Sequence, residues 1–436
     1  MKLERPPQIS SSTLSPEMLE KVRESEWFQK VQDSYYYWDK VKRYTKCAPN
    51  ANVQDNWQVL KQIRRMSYRK FQLEDITFLY SITNSMERDL HQLDLGLQKG
   101  FGDAHILQSV KEEVLNTSAI EEAIASSQLE GAITTTKKAR ELIQQEKTPG
   151  NESELMILNN YQVTQFILKN RERELDEDFI LEIHEKMTRG TEAGDHAGEF
   201  RDSPIYVTDV LSGEDVYQGP DAGTILDYME ALCAFTNAEE PFIHPIIKAS
   251  IIHHTFAWIH PFTDGNGRTA RALFYWYMIK NGYDLMEYIS ISRSITISKS
   301  GYYKAFRMVE YDENDLTYFI KYSIKILQQD FRRLEAFFKK EVNRQQEMKT
   351  LVFDLRKAGL SDRKSEFLAE LYSRKQTTFR LNDYVSKFDL SRQTASKEIQ
   401  ELAELVGIKL VKKGKYNEYV MEDLKAVIGL VLEMRK

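Results

Sequence analysis

Two apolar runs, residues 246–258 and 272–279, are separated by the polar segment His260-Pro261-Phe262-Thr263-Asp264-Gly265-Asn266-Gly267-Arg268-Thr269-Ala270-Arg271. The pattern predicts helix, tight loop, helix. Gly265 and Gly267 open backbone angles closed to other residues and let a ligand approach the main chain. A helix that starts on such a loop presents bare N–H groups and the positive end of its dipole, which is an anion site. Arg268 and Arg271 are three apart and share a helix face.

Phosphate is the natural anion for this set. Gly265, Asn266 and Gly267 would cradle it, Asn266 adding a side-chain donor. The guanidinium groups of Arg268 and Arg271 fork onto further phosphate oxygens. Asp264 is a candidate magnesium ligand, since Mg2+ takes one or two carboxylates together with phosphate oxygens. His260 takes up a proton near neutral pH. Together these describe attack by a hydroxyl on a phosphoryl group with a pyrophosphate-like leaving group. Three plainer readings compete. Asp264-Gly265-Asn266-Gly267 resembles the start of a calcium-binding EF-hand loop, but Arg268 stands where an oxygen ligand is needed. His244, His253, His254 and His260 match no zinc spacing. A simple Asn-Gly turn leaves the crowding of chemistry unexplained.

The segment His260 to Arg271 resembles, without departure, the signature His-Pro-Phe-x-Asp-Gly-Asn-Gly-Arg-x-x-Arg of the Fic (filamentation induced by cAMP) family. The resemblance extends over about residues 116–328. It takes in Ala197-Gly198-Glu199-Phe200-Arg201, a flap-like stretch at 204–217 and Asp315-Leu316-Thr317. It implies transfer of AMP from ATP to a protein hydroxyl. His260 would deprotonate the target Ser, Thr or Tyr, and Asp264 would bind Mg2+. Gly265, Asn266 and Gly267 would form the anion hole, with Arg268 and Arg271 on the distal phosphates. A kinase-like relative departs from Gly-Asn-Gly at this loop, so the intact motif favours nucleotidyl transfer.

Composition sets the frame. At 436 residues the chain has room for two or three domains. Two cysteines, Cys47 and Cys233, argue against a disulfide framework. The start of the chain lacks the apolar stretch of a signal peptide, and no run is long and apolar enough for a membrane span, so the expected location is the cytoplasm. Net charge is −6, but residues 351–436 carry +4, leaving −10 for the rest.

Residues 1–16, rich in Pro and Ser, read as a mobile arm. Helical stretches are expected at 16–46, from 54, at 73–94 and at 104–125. The aromatic cluster Trp27, Tyr35, Tyr36, Tyr37 and Trp38 reads as core rather than as a partner surface. Ile120, Ile124 and Leu129 suggest an amphipathic helix stopped by Gly131. On residues alone, Ser126 and Glu130 are an ordinary helix end. The Fic resemblance changes that: Ser/Thr-x-x-x-Glu-Gly/Asn is the inhibitory motif of many members. It implies that Glu130 pairs with Arg271 at the γ-phosphate position while Ser126 holds the helix down. Some relatives use this glutamate to remove AMP from modified protein. Ile205, Tyr206 and Val207 begin a β-like stretch, with a turn at 211–214 and a return strand at 216–217. In the family such a flap aligns target backbone by strand addition. Tyr275, Tyr277 and Asn281 are candidates to approach the nucleotide.

From 361 the texture changes. Helices are expected at 361–373, 381–387 and 392–405, followed by a two-stranded wing over 408–420 with Lys412, Lys413, Gly414 and Lys415 at its turn. This resembles a winged helix-turn-helix. Arg392, Gln393, Thr394 and Lys397 would face a DNA major groove, and the wing would touch phosphates. Protein contacts or dimer packing are the competing use.

The expected fold is mainly α: a helical extension (1–115), a helical Fic core with inhibitory helix and small hairpin flap (116–345), and a C-terminal winged helix (346–436). The expected function is an autoinhibited protein adenylyltransferase using ATP and Mg2+ on an unknown target protein, itself included. Alternatives are AMP removal at the same site and a DNA-binding regulator that senses nucleotide. A homodimer would suit paired DNA half-sites.

Overall fold

A computed structural model describes residues 3–9, 15–97, 108–208, 215–413, 416–421 and 423–433. The arm residues 10–14, helix positions 104–107, the flap turn at 211–214, and Gly414 and Lys415 lie outside these. The described residues form two compact units that divide after Leu334.

The first unit opens with helices α1 (Pro16–Arg23), α2 (Glu26–Asp33), α3 (Trp38–Val41) and α4 (Val53–Ser67). The single helical stretch expected at 16–46 is thus three short helices. Ser25 caps the second by accepting from Phe28 N–H, and Tyr35 breaks the chain in the left-handed region at φ 44°. Trp27, Tyr35, Tyr37 and Trp38 are buried, so the aromatic cluster is largely core.

The helix expected from residue 73 is corrected. Strands β1 (Arg69–Leu73) and β2 (Ile76–Tyr80) form an antiparallel hairpin, and only then does α5 (Asn84–Leu97) begin. Phe71, Leu73, Phe78 and Tyr80 point inward at period two, a strand signature. Glu74, at φ 49°, makes the turn. Leu79 pairs with the loop before residue 317: its N–H donates to Asn314 O (3.0 Å), and Leu316 N–H donates back to Leu79 O (2.7 Å). Tyr35 and Tyr68 hydroxyls donate to the buried Asp315 carboxylate (2.5 and 2.7 Å), and buried Lys61 pairs with Asp312 (2.9 Å). These bonds tie the N-terminal elements to the rest of the unit.

Next come α6 (Gln108–Leu129), α7 (Thr136–Gln144), α8 (Glu152–Lys169) and α9 (Glu177–Thr188). The hairpin β3 (Tyr206–Thr208) and β4 (Asp215–Gln218) follows, then α10 (Ile225–Asn237), α11 (Pro245–Ile259), α12 (Asn266–Lys280), α13 (Ile291–Ile297) and α14 (Lys299–Tyr311). Helices α11 and α12 pack on each other, and α6, α8 and α9 pack around α12. In α11, every residue from Ile246 to Phe256 is buried, as in a helix that is apolar on all sides. Pro245 at its first turn and the His244 cap on Ile246 N–H set its start. The pair is therefore a rigid platform, and the polar loop between them is fixed at both ends.

Helix α15 (Thr317–Lys357) continues past the division of the units. Beyond it lie α16 (Asp362–Ser373), β5 (Thr378–Phe379), α17 (Leu381–Phe388), α18 (Arg392–Val406), β6 (Lys409–Lys413), β7 (Tyr416–Val420) and α19 (Leu424–Glu433). The second unit has its own core of Leu355, Phe367, Leu368, Tyr384, Ile399 and Leu402 with their neighbours. The wing expected as two strands is a three-stranded sheet in the order β5-β7-β6. Strand β5 is two residues long, too short for a periodicity signal. No helix among the described residues is long and apolar enough to cross a membrane.

Candidate active site

The site forms where α11 ends and α12 begins. His260 is the residue after the last turn of α11 and lies in the left-handed region (φ 51°, ψ 57°), its N–H donating to Phe256 O (3.0 Å). That conformation is uncommon for a residue with a side chain, and it turns the chain sharply out of the helix. The imidazole Nδ1 lies 3.1 Å from Ala257 O. A carbonyl only accepts, so Nδ1 carries the proton and Nε2 keeps its lone pair. Burial holds the His260 pKa below the ordinary 6.5, which keeps the ring neutral near pH 7.

The loop is closed by Asn266. Its Oδ1 accepts from Phe262 N–H (2.9 Å) and its Nδ2 donates to Phe262 O (2.7 Å). The side chain thus spends its Oδ1 and one Nδ2 hydrogen on the loop itself, and its main-chain N–H stands at the start of α12. Gly265, at φ 78°, precedes it as the cap of α12, and a Cβ there would lie 3.1 Å from Thr188 and 3.2 Å from the His184 ring. Only glycine meets both demands.

His184 and Arg201 support this loop, and the residue-level reading of the sequence gave neither a role. The His184 ring stacks on Phe262 (centroids 3.5 Å apart, 1° between planes). Its Nδ1 accepts from Gly198 N–H (3.0 Å) and its Nε2 donates to Asp264 O (3.0 Å). Burial pushes its pKa down to about 4, so it holds this bonding pattern as a neutral ring. The available signal was a histidine set among Phe179, Ile180, Ile183 and Met187 on one apolar helix. Arg201 donates from Nε to His260 O (2.8 Å), from Nη1 to Ser203 O (2.8 Å) and from Nη2 to Pro220 O (2.7 Å). It thereby fastens the turn at His260 to both ends of the β3–β4 hairpin. Ile205, Tyr206 and Val207 lie on that hairpin, with Tyr206 exposed and Val207 paired to Tyr217.

The two arginines are buried and already bonded. Arg268 donates from Nη2 to Asp264 Oδ2 (2.7 Å), and its Nε meets no hydrogen-bond partner among the described residues. Arg271 donates from Nε to Ser126 Oγ (2.9 Å) and from Nη2 to Ser126 O (3.0 Å) and Glu130 Oε1 (2.9 Å). The Glu130 carboxylate also crowds the loop: a Cβ on Gly267 would run into its Oε1. So the end of α6 lies against the first turn of α12, and Gly131, at φ 100°, stops α6 there.

One turn further back on the same face of α6, the buried Glu122 accepts from Tyr275 Oη (2.8 Å), Ser290 Oγ (3.0 Å), Ser292 N–H (3.0 Å) and Ser292 Oγ. Tyr275 is therefore committed to packing. Tyr277 is buried too, and Asn281 bonds back to Tyr277 O (2.7 Å). The expectation that one of these three approaches a nucleotide is not met by their placement: α12 is buried on all sides beyond its first turn. Among the described residues no three His, Cys, Asp or Glu side chains cluster as a metal site.

Residues 174–278, which hold the loop between α11 and α12, match the model of the Fic/DOC family. A Culex quinquefasciatus relative called protein adenylyltransferase Fic is 28% identical over 198 residues, covering 44% of this chain and 36% of that one. The Aedes aegypti protein of the same name is 36% identical over 106 residues, covering 24% and 19%. The chain thus spans well under half the length of these relatives. Among solved structures, a Fic family protein from Desulfovibrio desulfuricans G20 shares the fold over 77% of this chain and 95% of its own, with TM-score 0.52 at 18% identity.

Proposed function

We propose that this chain is a protein adenylyltransferase that transfers AMP from Mg-ATP to a protein hydroxyl and is held off by its own Glu130. The observation that carries the reading is the pairing of Arg271 with Glu130 at the mouth of a glycine loop whose histidine keeps Nε2 free. The target hydroxyl oxygen attacks the α-phosphorus, its proton passes to His260 Nε2, and the bond to pyrophosphate breaks. The main-chain N–H groups of residues 265–267 hold the phosphate oxygens, and the buried, incompletely bonded Arg268 neutralises charge on the leaving group. Asp264, half-exposed and with one oxygen on Arg268, fits a magnesium site that phosphate oxygens complete. Bound there, the ion would supply charge neutralisation for the phosphates. The β3–β4 hairpin would take target backbone as an added strand beside Tyr206.

In the resting arrangement Glu130 removes the cation a distal phosphate needs and fills the space over Gly267. The test uses purified protein, magnesium and α-labelled ATP, with label on the protein as readout. Glu130→Gly is expected to label itself at least tenfold more than wild type, and His260→Ala in that background to lose the label. Equal labelling of wild type and Glu130→Gly would sink the brake. No label in either, with AMP released from a pre-modified protein by wild type alone, would assign the site to AMP removal instead.

A further inference from the structure

We infer that the second unit reads duplex DNA through the first two turns of α18. This inference is independent of the chemistry assigned to the first unit. Helix α17 ends at Asp389 in the left-handed region (φ 48°), and Ser391 caps α18 by accepting from Thr394 N–H (3.1 Å). The turn between the helices is three residues, Asp389 to Ser391, the length that sets two helices at the helix-turn-helix angle. Ala395, Ile399 and Leu402, at spacing four and three, are fully buried and fix the inner face of α18 on the core. Arg392, Gln393, Thr394 and Lys397 are consequently exposed.

Their chemistry and the placement of charge point to DNA rather than to a generic polar surface. Arginine and lysine pair with guanine edges, glutamine with adenine, and threonine with the thymine methyl group. Along α18 the charges are sorted. The basic residues Arg392 and Lys397 lie in the first two turns, while Glu398, Glu401 and Glu404 follow them. Two of these acids are drawn back onto α16: Glu398 pairs with Arg363, and Glu401 with Lys364 at 2.6 Å. Glu398 also takes the Tyr384 hydroxyl (2.7 Å). Arg392 bonds only the neutral Asn382 Oδ1 (3.4 Å) and meets no acid among the described residues, while Lys397 shares the Glu401 carboxylate at long range with Lys364, which holds it at 2.6 Å. Strand β6 is an outer strand of the sheet, and it carries exposed Lys409 and Lys412, placed as wing residues that touch phosphate.

The experiment uses the full chain and a pool of duplexes with a randomised core, selected by retention on the protein and then measured by fluorescence anisotropy. A duplex sequence is expected to enrich. Arg392→Ala with Lys397→Ala is expected to weaken its binding tenfold or more and to relax the selected sequence. Lys412→Ala is expected to weaken all duplexes alike and to flatten the salt dependence. Melting curves by circular dichroism check that the variants fold. If no sequence enriches, or if folded variants bind as wild type does, the inference is wrong. A change in sedimentation on Lys397→Glu, with no duplex retained, would make this face, with its exposed Leu405, Leu410 and Val411, a protein interface instead.

Discussion

At the scale of single residues, His260 shows how backbone position orients the imidazole proposed as the base. The left-handed turn places its Nδ1 on Ala257 O and aims Nε2 away from α11. Burial lowers its pKa, while the Glu130 carboxylate acts in the opposite direction. A base works in its neutral form, so transfer by the Glu130→Gly variant should rise with pH and level off, with the inflection below 6.5. Because that variant also lacks the carboxylate, the inflection should lie on the acid side of any measured for wild type. A rate profile from about pH 5 to about pH 8 checks this. An inflection above the ordinary histidine value would remove His260 as the base.

At the scale of elements, α6 is held on α12 by three side chains at spacing four: Glu122, Ser126 and Glu130. Only the last two touch Arg271. Glu122 instead gathers Tyr275, Ser290 and Ser292, and so anchors the helix away from the loop that its end touches. Replacing one carboxylate oxygen by an amide group would set a donor against donors, at a cost of about 1–3 kcal/mol. Glu122→Gln should therefore lower the unfolding free energy of the first unit by that amount. It should also raise self-labelling, though less than Glu130→Gly does. Denaturant melts and the labelling assay read the two effects separately. A variant as stable and as silent as wild type would show that Glu122 does not anchor α6.

At the scale of the whole molecule, the first unit keeps several histidines buried and neutral. Burial pushes His184 down to about 4 and His254 to about 3, and His253 well below its usual value. In the unfolded chain each takes a proton near 6.5, so the unfolded state binds more protons in the interval between. Stability is then fully present above 6.5 and is lost as pH falls toward the folded values. His184 alone should remove about 2 kcal/mol between pH 7 and pH 5. That window lies above the range in which ordinary carboxylates titrate. The melting temperature of the first unit should drop over it, and a curve flat from pH 7 to pH 5 would contradict the burial of these rings.

The sequence by itself determined what is local. Twelve adjacent residues place base, glycines and arginines at one helix start, because i, i+3 and i+4 spacing and glycine positions are properties of a short segment. The apolar character of 246–258 and 272–279 likewise made α11 and α12 readable. On residue pattern alone the helix end at 126–131 was ordinary; the pairing of Glu130 with Arg271 was an expectation carried by resemblance, and the fold brings the two together across 141 positions. Only the tertiary structure decided that Asn266 turns inward to staple Phe262, that Arg268 spends a bond on Asp264, and that His184 locks Asp264 from another helix. The β1–β2 hairpin is different: Phe71, Leu73, Phe78 and Tyr80 already alternate in the sequence, but each strand is only five residues long, too short for the alternation to stand out from the helical pattern around it. Local spacing fixes which groups share a face, but which group each one meets depends on the packing of distant segments, and residue order does not contain those distances.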